Sequence, residues 1–512
     1  MVKAVTSTYL TQENRAQGAQ FVYKITYQKS VGSQITIPLS EVISAPTISN
    51  TLGSDFMALS GGDIQLTLDN RRRQWDETYA SAYNRPQYDG DLRVSAGFTL
   101  PNGTDELVEL FSGKIVKVEM SGVTPRNAII TAKNAMSDKI AKTMIGKPAT
   151  GGTPNPYING YLSRVQLFDL DPVDYTFFTF LYKGTLSEPS LAPAVLKRRD
   201  DKSNWKTISP SSIIFSNNTK TAILNSVAAQ DANEVFYSGI RKNPNTQIPY
   251  IIKDILLNQV KIPSTHINAT SFDRIRNIEQ PASWGVQIYN ESAAVVIEQL
   301  SRLVYAAAFI EGKKFNLVSL GTPPYSGIHL HEGDYLNFSI AKDKSRIINQ
   351  VDIPYHTYPM DTSKIVRVRN ATSQASYGSL PLSFYYGDFS FTQTDPINSA
   401  KATFTSFYTR LANTIVRHNA NARRAFTLSN VFSKGLRIEL GDRVQLTNAF
   451  FDIEQQNAIV VGKTVDLERK RTDLMLLSLP HYRAKITQNR TMVLDFREGI
   501  HRFSRMMDEV PL

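Results

Sequence analysis

Cysteine is absent from all 512 residues, which excludes disulfides, a thiolate nucleophile and any zinc or iron–sulfur centre built on sulfur. Stability must come from burial and from contact between chains. Long apolar runs are missing too: the longest, Val304 to Ile310, falls far short of the roughly 20 residues that a spanning helix needs. The start, Met1-Val2-Lys3-Ala4-Val5-Thr6-Ser7-Thr8, lacks the apolar stretch of a secretory signal. The expectation is a chain neither exported by a cleaved signal nor membrane-spanning. Catalytic signatures are missing as well, with no Gly-x-Ser-x-Gly, no Gly-x4-Gly-Lys-Ser/Thr and no His-Glu-x-x-His. Their absence argues against an enzyme.

What is there is ordinary soluble material, 41% apolar and 20% charged, long enough for three to five domains that each bury a core. The net charge of +11 is dispersed, because most basic residues stand among acids, as in Asp200-Asp201-Lys202 or Asp466-Leu467-Glu468-Arg469-Lys470-Arg471. We read it as a solvated surface rather than a nucleic-acid footprint.

The two ends carry paired-strand patterns. From Phe21 to about Ile140 the period is two: Ile64, Leu66 and Leu68 share a face, as do Leu92 to Phe98 in alternation, Val116, Val118 and Met120, and Ala128, Ile130 and Ala132. Gly97-Phe98 leading through Pro101-Asn102-Gly103-Thr104 to Leu107–Phe111 reads as a hairpin, since Asn-Gly accepts the backbone angles of a tight turn. Near the other end, strands are expected at 425–431, 436–440, 443–447, 458–467 and 473–479, with the tip Arg469-Lys470-Arg471-Thr472 closing a hairpin.

The interior is different. Asn134 to Ile145 reads as a short helix with Ala135, Ile140 and Met144 inward, whereas repeated prolines and glycines break the pattern between Gly146 and Asn245. Helices are expected at 248–260, ended by Pro263, and at 291–304, followed by a hairpin turning at Glu311-Gly312. The longest helix starts at Asp395-Pro396 and carries the stripe Ala400, Phe404, Phe407, Leu411 and Ile415.

In their order, these motifs resemble phage tail-tip or baseplate hub proteins. The Gly-Asp, strand, Asp-Asn series with Gly97-Phe98 and Leu110-Phe111-Ser112-Gly113-Lys114-Ile115 looks like their first tube-like domain. Glu291 to Val318 resembles their inserted domain, and the long helix feeding Leu440-Gly441-Asp442 resembles their second barrel. The match covers most of Phe21 to Leu479. The resemblance implies an α+β, mainly β fold: two tail-tube-like antiparallel β-barrel or sandwich domains with inserted α+β domains.

The expected division is 1–148, first tube-like domain; 149–245, elaborated insertion; 246–340, inserted α+β domain; 341–480, second tube-like domain with the long helix at 396–416; and 481–512, a tail docking on a partner. The implied assembly is a homotrimeric ring in the virion tail tip, adapting a sixfold tube to a threefold tip. Implied partners are the tail tube or distal tail protein, a tape-measure protein and a tip, spike or fibre protein, with DNA only in transit. No cofactor, catalytic residue or metal is expected.

Candidate contact residues are Arg71, Arg72, Arg73 and Trp75, Arg423 and Arg424, and Arg469, Lys470 and Arg471, which would grip an acidic face of a neighbouring subunit if they are not simply exposed loop. Phe496 and Phe503 join them from a tail too apolar to stay solvated. His329-Leu330-His331-Glu332-Gly333-Asp334 offers two histidines on one side of a strand without a specified third ligand, and Asp169, Asp171 and Asp174 lack the glycine and glutamate of a calcium loop. Polar surface and turn-capping are the simpler readings. The competing functions are a virion or extracellular carbohydrate-binding module using Tyr175, Phe177, Phe178 and Phe180, and a hydrolase without a recognised motif.

Overall fold

The structure, a computed structural model, describes residues 3, 5–13, 20–28, 34–52, 62–72, 75, 90–121, 126–146, 157–171, 176–178, 196–199, 205–208, 213–216, 221–224, 235–242, 247–279, 284–288, 291–344, 346–356, 363–383, 390–393, 400–431, 434–479, 483–486, 490–495 and 502–503. It is mainly β, with several antiparallel sheets and helices inserted between them.

The N-terminal arm forms α1 (Ser7–Glu13), followed by β1 (Phe21–Gln28), β2 (Gln34–Ile37), β3 (Val42–Ser44), β4 (Thr47–Thr51), β5 (Ile64–Asp69), β6 (Asp91–Thr99), β7 (Asp105–Ser121) and β8 (Asn127–Lys133). Seven of these strands make one sheet in the order β2-β1-β6-β7-β8-β5-β3, antiparallel throughout. The period-two pattern works as expected on β5, β6 and β8, whose alternate apolar residues are buried. The β6–β7 hairpin closes at Thr99 opposite Asp105, with Gly103 at φ 78°.

On β7 the expectation fails. Leu110 is an extra residue between the pairs Val94–Phe111 and Ser95–Glu109, so the inward phase shifts to Phe111 and Ile115. Val116, an extra residue again, is 41% exposed and Met120 37%.

After β8 comes α2 (Ala135–Lys142), capped by Asn134, whose Oδ1 accepts from the backbone N–H groups of Met136 and Ser137 at 3.0 and 3.1 Å. Its inward residues are Met136 and Ile140, not Ala135 and Met144. The broken stretch 149–245 supplies seven strands to a nine-stranded sheet, completed by Trp284–Ile288 and Ser390–Gln393. Asp169 and Asp171 lie on the strand Tyr157–Asp171, and Phe177 and Phe178 on Thr176–Phe178. Asp174, Tyr175 and Phe180 fall outside the described residues.

Three helices follow: α3 (Ile248–Asp254), which passes into a π-helical turn at Ile255–Gln259, then α4 (Ala269–Glu279) and α5 (Ala293–Leu303), where the Ser292 hydroxyl accepts from Val295 N–H. The hairpin β9 (Ala306–Glu311) and β10 (Lys314–Ser319) turns at Gly312, φ 56°.

The second large sheet uses β11 (Tyr325–Leu330), β12 (Asn337–Asp343), β13 (Arg423–Ser429), β14 (Arg443–Asn448), β15 (Ile453–Asp466) and β16 (Arg471–Ser478), in the order β11-β14-β15-β16-β13-β12. Its β11–β14 pair is parallel and the others are antiparallel. The seventh strand comes from the far end of the chain: β4 pairs antiparallel with β15, Thr51 opposite Gly462 and Thr47 opposite Asp466. Before β13 runs α6 (Ala400–Asn419), which buries Tyr408, Leu411, Ala412 and Ile415. Asp395-Pro396 falls outside the described residues.

No strand forms at 436–440. Leu436, Ile438 and Leu440 are buried in alternation, but the segment opens with a helical turn, Lys434–Arg437, and turns the carbonyls of Leu436 and Ile438 toward a buried lysine. The tail carries strands at Arg483–Ile486, Arg490–Asp495 and Arg502–Phe503, which make a small sheet.

The two large sheets share a strand path. Taken in chain order, β3-β5-β6-β7-β8 and β12-β13-β14-β15-β16 each give a sheet ordered meander, then second strand, then first strand, with every pair antiparallel. Even the irregularities agree. Val116 is extra between Ile115–Ala132 and Lys117–Thr131, just as Val461 is extra between Val460–Leu476 and Gly462–Met475. Ile115 N–H donates to Gly90 O, one residue before β6, and Val460 N–H donates to Asp442 O, one residue before β14.

Candidate functional site

Strand β4 makes a seam between the two sheets, and buried charge gathers there. Lys463 stands on β15 between the buried Val461 and Val465 and is itself buried. Its ammonium donates to Leu436 O at 3.0 Å and Ile438 O at 2.6 Å, and lies 3.5 Å from the Glu311 carboxylate. Lys3, from the N-terminal arm, reaches the same carboxylate at 3.0 Å and donates to Glu109 O on β7 at 2.9 Å. One carboxylate at the tip of β9 thereby joins the arm, the first sheet and the second.

The electrostatics follow from burial. Desolvation works against the charged form of Glu311, yet Lys3 and Lys463 together hold its pKa below the usual carboxylate range. Burial, reinforced by Lys3, lowers the Lys463 ammonium to about 8. Nearby, burial and the Glu311 charge push Glu439 up to about 8, and burial raises Asp442, whose carboxylate accepts Glu439 N–H at 3.1 Å.

The arm is fastened a second time. Arg437 donates from Nε to both carboxylate oxygens of buried Glu13, and Lys3 N–H donates to Arg437 O at 3.2 Å. Thr6 pairs through its N–H, at 2.7 Å, and its hydroxyl with Glu106 on β7, while Tyr9 packs edge-on against Phe98. This set of lysines, carboxylates and backbone carbonyls is suited to clamping elements together. Among the described residues no group of three or more His, Asp or Glu is placed to hold a metal ion.

The residues named from sequence scatter. Arg71 is exposed and paired with Asp69 at 2.6 Å, which holds the Asp69 carboxyl below its usual range, and Arg72 beside it is exposed. Arg73 and Phe496 fall outside the described residues. Trp75 is fully buried, edge-on to Tyr27 with ring centroids 6.0 Å apart, and its backbone N–H donates to Asn70 Oδ1 at 2.9 Å. Its indole packs the first core and presents no surface to a neighbour.

Arg423 is buried also, donating to Ser478 O at 2.7 Å and Asn419 Oδ1 at 3.3 Å, so it ties α6 to β16, whereas Arg424 is exposed. At the β15–β16 tip Arg469 and Lys470 are exposed, and Arg471 is half-buried 3.1 Å from Asp473. Phe503 ends the short strand Arg502–Phe503.

His329 and His331 do share a side, with ring centroids 3.9 Å apart. His329 Nε2 lies 2.8 Å from the Thr447 hydroxyl, and burial together with His331 and Lys434 lowers its pKa. Asp334 is engaged by Lys434 at 2.7 Å and by His331 N–H at 2.9 Å. The group is a strand-end network.

Sequence reasoning missed Lys3, Glu13, Glu311, Arg437 and Lys463 as a set. One signal was available: a lysine alternating with valines, Val461-Gly462-Lys463-Thr464-Val465, asks where a buried ammonium finds its acceptors.

No family model and no curated protein matches the chain. Among solved structures it is similar to the 43 kDa tail protein of prophage MuSo2 from Shewanella oneidensis, at 10% identity over 89% of this chain and 98% of that one, TM-score 0.42. It is similar also to a tail protein from Neisseria meningitidis, at 8% identity over 90% and 96%, TM-score 0.42. A prophage tail protein from Listeria monocytogenes gives 8% identity over 89% and 94%, TM-score 0.38. At these values none of them assigns a role to a residue here.

Proposed function

We propose that the chain is a structural component of the distal end of a phage tail, a hub in which three copies form a ring around the DNA channel. The observation that carries this reading is the repeated strand path, with its matching bulges at Val116 and Val461, inside one chain. Two like sheets per copy, multiplied by three, give six similar units. Such a ring meets a sixfold tube on one face and a threefold tip on the other.

The seam supports the same reading, because β4 and the Lys3–Glu311–Lys463 group fix the two units against each other without a hinge at that point. The work is geometric: the ring adapts the tube to the tip and encircles the channel, with neighbouring tail components as partners. Exposed Arg72, Arg424, Arg469 and Lys470 remain the cationic candidates for gripping them.

Light scattering together with negative-stain imaging of the purified chain tests this. A particle of three times 57.3 kDa with a central opening is expected. A stable monomer that binds glycans sinks the proposal.

A further inference from the structure

Within one chain, the distal part of β15 is covered on the side away from β16: Gly462–Asp466 pairs there with β4, and Val461 and Val465 are 1% and 2% exposed. Among the described residues the equivalent stretch of β7 has no such partner. Ile115 corresponds to Val460 by its bulge and by its hydrogen bond to the residue before the preceding strand, so Lys117–Ser121 corresponds to Gly462–Asp466, and Val116 and Met120 to Val461 and Val465. On one side Lys117–Ser121 pairs with β8; among the described residues no strand pairs with the other side.

We infer that this edge of β7 is the docking site for a second copy of the chain, which adds a strand from its second unit to Lys117–Ser121 and covers Val116 and Met120. The inference rests on the ring reading above. Its ground is the junction inside the chain: the same bulge, with an apolar residue at it and four positions on, is closed by a strand in one unit and has no strand partner among the described residues in the other. A strand edge without a partner is a pairing hazard unless something covers it, and here Val116 and Met120 lie exposed beside the ion-paired Lys117 and Glu119. Strand addition satisfies its backbone groups and places two apolar side chains in a dry contact. The junction between copies then repeats the junction within a copy, so that like units follow one another around the ring.

Because the chain has no cysteine, Met120→Cys supplies a single thiol for a benzophenone photocrosslinker on the full-length protein. Irradiation is expected to join two copies, with the captured peptide mapping to residues 325–478, while light scattering on the same sample gives a trimer. In parallel, Val116→Asp with Met120→Asp, both at exposed positions, is expected to keep the circular dichroism spectrum and melting curve of the separated chain while losing association. A trimer with no crosslink, or with a crosslink elsewhere, overturns the strand addition and leaves the ring standing. Undiminished association of the double variant overturns it as well, and a wild-type chain that stays monomeric overturns both.

Discussion

Arg437 donates from Nε to both carboxylate oxygens of Glu13, 2.9 Å in each case, across 424 positions of sequence. Glu13 is almost completely buried, so removing either partner strands a charge out of water. Glu13→Ala is expected to cost about 3 kcal/mol or more by the usual size of a broken buried pair, read as a lower urea midpoint at unchanged slope. Glu13→Leu combined with Arg437→Met should recover much of that loss. A double variant as weak as the single one would deny the pair its role.

Glu439 gives a pH dependence whose sign is fixed. Its pKa in the fold, about 8, lies above the ordinary 4.5, so between those values the folded state binds a proton that the unfolded chain does not. Its contribution is full below about pH 4.5 and disappears as pH rises through about 8. Urea midpoints at pH 5.5, 7 and 8.5 should therefore fall more steeply for the wild type than for Glu439→Gln. Parallel lines for the two proteins would contradict the assignment.

His418 works in the opposite sense. Burial, with Arg423 and Arg417 nearby, lowers its pKa from 6.5 to about 3, and its ring lies edge-on to Tyr305 at 6.1 Å. The unfolded chain binds the extra proton between those values, so stability is present above about pH 6.5 and is lost as pH falls toward 3. Since part of the residue still meets solvent, we expect His418→Phe to remove about 1–3 kcal/mol of the acid sensitivity. Thermal melts from pH 4 to 7 measure it.

Trp75→Ala should cost about 3–5 kcal/mol, the ordinary range for emptying a buried aromatic site, and should lower the melting temperature of the separated chain. A residue whose role lay in contact between copies would weaken association and leave that melt unmoved.

Gly97 permits a close crossing of β6 and β7. A Cβ there would sit 1.9 Å from Glu106 O, a backbone atom that cannot move aside alone. Gly97→Ala is expected to destabilise the first unit by about 3 kcal/mol or more, whereas Gly103→Ala, with open space around it but φ 78°, should cost less. Comparing the two denaturation curves separates crowding from backbone strain.

Much of this fold can be read from alternation alone. Leu92 to Phe98 and Ala128 to Ala132 face a core as their period predicts, and the Asn102-Gly103 turn, the Gly312 turn and the Asn134 cap act through local chemistry. Bulges are where the reading slips, because one extra residue reverses every side chain beyond it, as at Leu110 and Val116. Period-two burial without a partner strand misled at 436–440, where the carbonyls serve Lys463 instead. The seam was legible only in part. Lys463 announces a buried charge, but nothing local in Thr47–Thr51 says that its partner is Gly462–Asp466, since that pairing depends on which two sheets come to lie side by side. The candidate cations read as surface residues in sequence, and Trp75 and Arg423 instead turned inward to serve the core and an inter-element hydrogen bond.

The β4–β15 pairing also sets a timetable. A ribosome that has made Thr51 must add about four hundred more residues before Gly462 emerges, on the order of tens of seconds at ordinary elongation rates. Throughout that interval β15 is not yet made and β4 waits without its native partner. Nascent chains of this protein therefore carry a sticky segment from early in synthesis, and premature pairing between polysomal neighbours competes with correct closure. Faster elongation or a holding chaperone should raise the yield of folded chain, since time to completion, rather than final stability, governs that competition.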